Sequence, residues 1–103
     1  MIKEETLFTN VLGINSRIKI IEFLLVNRGL DFSATDIADE LGLSKQTTYD
    51  NLKLLIEKNL LNSRKLKNKT LYKLNEKSKI NKKLIELFDT ILNVYNIYER
   101  SSK

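Results

Sequence analysis

The chain contains no cysteine and no histidine. Those two absences exclude disulfides, thiolate zinc sites, imidazole metal ligands and the usual catalytic bases and nucleophiles built on either side chain. A glycine-rich phosphate loop and a nucleophile-elbow pattern are missing as well. Ser, Thr, Asp, Glu, Lys and Tyr remain, but nothing sets them out as a catalytic group, so the sequence reads as a non-enzyme without a cofactor. No apolar run approaches the ~20 residues that cross a bilayer, and Met1-Ile2-Lys3-Glu4-Glu5-Thr6 lacks the apolar segment of a signal peptide. The expected location is cytoplasmic, with no membrane partner. Internal repeats, low-complexity tracts and an interdomain linker are also wanting.

What is present is enough for one globular domain. The 103 residues are 42% apolar and 30% charged, which suits a single domain over 1–103 that buries a core. The net charge of +5 is concentrated in one block: residues 44–83 hold 12 Lys and Arg against 3 Asp and Glu, a local excess of +9, whereas 1–43 sum to −3 and 84–103 to −1. A localised basic block is either a polyanion-binding face or a solvated lysine-rich surface, and its register with a motif decides between them.

Helical spacing of Leu7, Phe8, Val11 and Leu12 predicts a short N-terminal helix ended by Gly13. Asn15 or Ser16 caps a second helix over about 15–28, with Ile18, Ile21, Leu24 and Leu25 as its apolar stripe and Gly29 as its C-terminal cap. Leu30 and Phe32 alternate around Asp31, as in a very short strand. Ser33 and Asp36 approximate a capping box for a third helix that runs to about Leu41. Gly42 then supplies a sharp turn, with Ala38 small enough for close packing, and Ser44 caps a fourth helix over about 44–59. Its buried face is Thr48, Leu52, Leu55 and Ile56, which turns Lys45, Gln46, Tyr49, Asp50 and Lys53 outward.

From Leu60 the period moves toward two, and Thr70 to Leu74 returns as a partner strand, with Lys67-Asn68 as the turn because Asn tolerates left-handed geometry. Arg64, Lys65, Lys67, Lys69 and Lys73 make this hairpin basic. A last helix over about 77–100 carries Ile80, Leu84, Leu87, Ile91, Val94 and Tyr98 at heptad-like steps, broadened by Phe88, Leu92 and Tyr95. The fold class is therefore mainly α with a small β-hairpin.

These residues resemble the winged helix-turn-helix transcriptional regulators of the ArsR type. The likeness covers about Leu12 to Leu74, with a core over 12–75. It lies in Leu12-Gly13-Ile14-Asn15-Ser16-Arg17-Ile18-Lys19-Ile20-Ile21, similar to the family's opening signature, in Ile37-Ala38-Asp39-Glu40-Leu41-Gly42-Leu43-Ser44 at the helix turn, and in Leu52-Lys53-Leu54-Leu55 followed by Asn59-Leu60-Leu61. The resemblance implies that helix 44–59 enters the major groove of double-stranded DNA. Gln46 would then read adenine, Lys45 guanine or a phosphate, and Asp50 cytosine N4. Ser44 and Thr47 would suit phosphates, and Tyr49 a sugar or thymine methyl. Lys53 belongs to the same face. In the wing over 61–74, Arg64, Lys65, Lys67 and Lys69 would meet backbone or minor groove. The plainer account of these residues is a solvated face, with Lys45 and Lys53 in water, Asp50 paired with Lys53 at i+3, and Tyr49 covering the core. Lys77, Lys79, Lys82 and Lys83 read more weakly as DNA contacts.

By the same resemblance, the terminal helices at 1–11 and 77–100 would dimerise the chain through Leu7, Phe8, Val11, Leu84, Leu87, Phe88, Ile91, Leu92, Tyr95 and Tyr98. A homodimer favours a pseudo-palindromic site with half-sites about one helical turn apart. The alternative is that the last helix folds back on its own domain. Metal-sensing relatives use thiolates or imidazoles, which this chain lacks, and Asp36, Asp39 and Glu40 read as a solvated acidic face, so no metal is expected. The function so implied is a sequence-specific regulator, as a repressor occupying a promoter. The rivals are a non-specific DNA-coating or plasmid-partition protein and a winged-helix module that binds another protein.

Overall fold

The computed structural model describes residues 6–101, with side chains described over 6–94. In chain order the elements are α1 (Leu7–Leu12), α2 (Ser16–Val26), β1 (Phe32–Ser33), α3 (Ala34–Leu41), α4 (Lys45–Glu57), β2 (Leu61–Lys65), β3 (Thr70–Leu74) and α5 (Lys79–Ser101). Each helix starts where a short polar side chain can accept from its orphaned backbone N–H groups. Asn15 accepts from Ile18 N at 2.9 Å. Ser33 and Asp36 close the capping box reciprocally at 3.1 and 3.2 Å, and Ser44 accepts from Thr47 N at 3.0 Å.

The helix ends are as specific. Gly42 adopts the left-handed region at φ 67°, which lets Leu43 N donate back to Ala38 O at 2.9 Å and turns the chain into α4. At the end of α4 the same device is built on Asn59, at φ 63°. Leu60 N reaches Leu55 O and Asn59 N reaches Ile56 O, both at 2.9 Å. Asn59 is the only non-glycine with positive φ among the described residues. The hairpin turn at Lys67-Asn68 therefore does not draw on left-handed Asn geometry: it closes through Leu66 N to Lys69 O at 2.7 Å. The second helix also stops earlier than its periodicity predicts, at Val26 rather than Arg28. Asn27 donates from its side chain to Phe23 O at 2.8 Å, and Arg28 Nη1 to Leu25 O at 3.0 Å, so these side chains satisfy the last carbonyls before Gly29 is reached.

The three strands form an antiparallel sheet in the order β1-β3-β2. Phe32 pairs with Tyr72 and Ser33 with Leu71, while Leu61 to Lys65 pair in step with Leu74 to Thr70. The core draws on every layer: Phe8, Ile20, Leu24, Leu25, Ala34, Ile37, Leu52, Leu55, Leu61, Leu74, Phe88 and Ile91. Ile20, fully buried, joins the expected α2 stripe, of which Ile18 and Ile21 are only half-buried. Phe8 of α1 meets Phe88 of α5 edge-on, with centroids 5.5 Å apart and planes at 77°.

Three asparagines tie the base of the hairpin together. Asn75 Nδ2 donates to Asn59 O at 2.9 Å, and buried Asn81, in the first turn of α5, donates to Leu60 O at 2.7 Å and to Asn75 O at 2.9 Å. A buried amide that meets its partners stabilises one arrangement, because every alternative leaves a donor unpaired. The end of α4, both ends of the hairpin and the start of α5 are thereby joined.

Candidate nucleic-acid interface

The seat of α4 is apolar and its outer face polar. Thr48, Leu52 and Leu55 are buried, and Thr48 Oγ1 donates to Ser44 O at 2.9 Å. Ile56 is half-buried. That seating leaves Ser44, Lys45, Gln46, Tyr49, Asp50 and Lys53 exposed, with Thr47 half-buried. Tyr49 is 54% exposed, so it does not cover the core. Asp50 pairs with Gln46, whose Nε2 donates to Asp50 Oδ1 at 2.8 Å, and not with Lys53.

One member of this face has no counterpart in the sequence reading. Asn51 is 9% exposed; its Nδ2 donates to Thr47 O at 2.9 Å, and its Oδ1 accepts from Arg17 Nε at 2.9 Å. Asn51 falls one helical step from Leu52 and so looks solvent-facing by periodicity alone. Only the position of α2 across α4 reveals its role.

Strand register sorts the wing's cations. Side chains alternate between the faces of a sheet, so Ser63 and Lys65 share a face with Tyr72 and Phe32, while Arg64 and Lys73 lie on the other with Asp31. Tyr72 is half-buried, and burial pushes its phenol above the ordinary value, with Tyr49 adding to the shift. The Tyr72 face is the one that also carries the buried Leu61 and Leu74, and Lys65 lies at its exposed end. Arg64 is engaged elsewhere: its Nη2 and Nε donate to Asp31 Oδ2 at 2.9 and 3.3 Å. That hydrogen bond, more than the Arg64 and Lys73 charges, holds the Asp31 carboxyl below its ordinary range, against a smaller opposing effect of burial. Lys65, Lys67 and Lys69 are exposed, and their side chains make no ion pair or hydrogen bond among the described residues.

A second surface, formed by α1, α2 and α5, is apolar. A groove of about 960 Å³ runs between them, lined by Leu7, Phe8, Leu25, Val26, Phe88 and Leu92, with Glu22 and the Arg28–Asp89 ion pair (3.2 Å) among its polar residues. Of the residues assigned to dimerisation, Phe8, Phe88 and Ile91 are buried in the chain's own core. Leu7 and Leu84 are half-buried, and Val11, Leu87 and Leu92 are exposed. Tyr95 and Tyr98 lie outside the described side chains. The heptad-like pattern mixes two surfaces: Leu84 and Ile91 turn inward while Ile80 and Val94 are exposed at 59% and 56%.

Among the described residues no three His, Cys, Asp or Glu side chains group so as to hold a metal ion. Asp36 serves the α3 cap. No described helix is long and apolar enough to cross a membrane.

No protein-family pattern matches the chain, and no curated protein is similar to it in sequence. Solved structures are similar. HlyU from Vibrio cholerae superposes with a TM-score of 0.61 at 24% identity, over 82% of this chain and 87% of that one. The adhesin competence repressor AdcR from Streptococcus pyogenes gives 0.61 at 24% identity, over 90% and 75%. Mb0332 from Mycobacterium bovis, a homodimeric winged helix-turn-helix DNA-binding domain described as a possible ArsR-family regulator, gives 0.60 at 18% identity, over 84% and 76%. The fold of this chain is the winged helix-turn-helix.

Proposed function

We propose that this winged helix-turn-helix protein is a homodimeric, sequence-specific DNA-binding transcriptional regulator of the ArsR type that acts in the cytoplasm, as a repressor, by occupying a promoter. The observation that carries the reading is the alignment of exposed polar side chains with charge. Lys45, Gln46, Tyr49, Asp50 and Lys53 stand on one face of a capped, firmly seated helix, beside a hairpin whose Lys65, Lys67 and Lys69 have no partner among the described residues. Both lie in the block of +9. A helix of this kind reads base edges from its first turns while lysines beside it bind phosphates. Dimerisation is supported by the exposed Val11, Leu87 and Leu92 around the apolar groove, and by the homodimeric state of Mb0332. Two copies would then address a pseudo-palindrome with half-sites about 34 Å apart.

The test is selection of bound duplexes from a random library by the purified protein, followed by a salt titration of the winners against random DNA. A symmetric consensus, bound well above random duplex, supports the reading. Equal affinity for every duplex would reassign the protein to non-specific DNA coating, and no binding at low salt would point to a protein partner.

A further inference from the structure

Three arginines have described side chains, and two of them are neutralised. Arg28 pairs with Asp89 at 3.2 Å and Arg64 with Asp31 at 2.9 Å. Arg17, in the first turn of α2, is different: its partner is the neutral amide of Asn51, whose Oδ1 accepts from Nε at 2.9 Å. That amide cannot turn away, because it is nearly buried and its Nδ2 is committed to Thr47 O at 2.9 Å. Arg17 is itself exposed, and its Nη1 and Nη2 have no protein acceptor among the described residues. The guanidinium is planar, so fixing Nε fixes the fork formed by the Nη hydrogens. A fork of two coplanar N–H donors matches two oxygens of one phosphate. It stands beside Asn51, whose amide donates to Thr47 O in the first turns of α4.

We infer that Arg17 binds a DNA phosphodiester, with Asn51 as its positioning residue, so that α2 provides a backbone contact in addition to those of α4 and the wing. The inference rests on the DNA-binding reading above. Stitching α2 to α4 would need only the Nε contact. It would leave the charge and the remaining donors to solvent, whereas a phosphate uses both.

The experiment is fluorescence anisotropy of the full chain with a labelled random-sequence duplex across a salt series. Arg17→Ala is expected to weaken binding about tenfold and to make the slope of log K against log salt shallower by about 1. Arg17→Gln, which keeps an amide donor for Asn51 and so guards against a folding defect, is expected to do the same, and Arg17→Lys to restore the slope but not the full affinity. Lys58→Ala, at the far end of α4, leaves the slope unchanged. Asn51→Leu is expected to lose part of the affinity in the native background and nothing further in the Arg17→Ala background, which a purely structural Asn51 would not do. If the unaltered protein binds and Arg17→Gln keeps its affinity and slope, the phosphate contact is overturned while DNA binding stands. If the unaltered protein does not bind, both fall.

Discussion

The two halves of the candidate interface differ in how they hold their polar groups. On α4 several such groups are already committed within the protein, Gln46 to Asp50, Asn51 to Thr47 and Arg17, and Ser44 to the helix start, while Lys45, Tyr49 and Lys53 have no hydrogen-bond or ion-pair partner among the described residues. At the tip of the wing Lys65, Lys67 and Lys69 are committed to nothing among the described residues. Pre-set donors lose little entropy on binding and punish a wrong partner, because a displaced internal hydrogen bond must be replaced. Free lysines pay that entropy but accept any phosphate. On the proposed function, the committed amides of the helix would discriminate and the wing would hold.

The largest effect that would break this contrast lies beneath α4. Leu52 has no exposed surface, and Leu52→Ala is expected to destabilise the protein by about 2–5 kcal/mol in thermal or denaturant melts, whereas Lys67→Ala stays within about 0.5 kcal/mol of the parent. A Leu52→Ala loss under 1 kcal/mol would mean that α4 is not firmly seated. Next comes Gln46→Ala, for which binding measured across single-base variants of a selected site is expected to lose about 1–3 kcal/mol of preference at one position. A uniform loss at all positions would move Gln46 to the holding side of the comparison. Lys67→Ala should weaken every sequence alike and make the salt slope shallower by about 1; base-selective loss would contradict the division.

The smallest effect concerns Arg64, which the register sets apart from the free lysines. Its hydrogen bond favours the ionised form of Asp31, so the contact is complete above the ordinary aspartate range and is lost as pH falls through the depressed pKa. In an NMR titration Asp31 is expected to have its midpoint below 3.8, and Arg64→Ala to raise it. An unmoved midpoint would return Arg64 to the free cations of the wing.

Much of this was written in local sequence. The Ser33–Asp36 box, the Gly42 turn, the Ser44 cap and the exposed face of α4 follow from short-range rules, and each stands where those rules put it. What escaped depended on distant residues. Arg64 and Asp31 are 33 positions apart and meet only because β1 pairs with β3. Arg17 and Asn51 are 34 apart. The α5 pattern was legible as apolar but not as divided, since heptad steps do not say that Phe88 and Ile91 belong to the chain's own core while Ile80 and Val94 face outward. The asparagines at 75 and 81 gave no periodic signal, for their value lies in which carbonyls they reach.

Those asparagines couple α5 to the wing. Asn81 fixes one end of the helix to the hairpin base and the end of α4, and 23 residues at about 1.5 Å each carry the other end roughly 35 Å away. Phe88 and Ile91 seat the middle of the helix in the core, so one rigid rod joins the hairpin base to the apolar surface of α1 and α5, and in the proposed dimer a second copy on that surface would bear on the same joint that sets the wing.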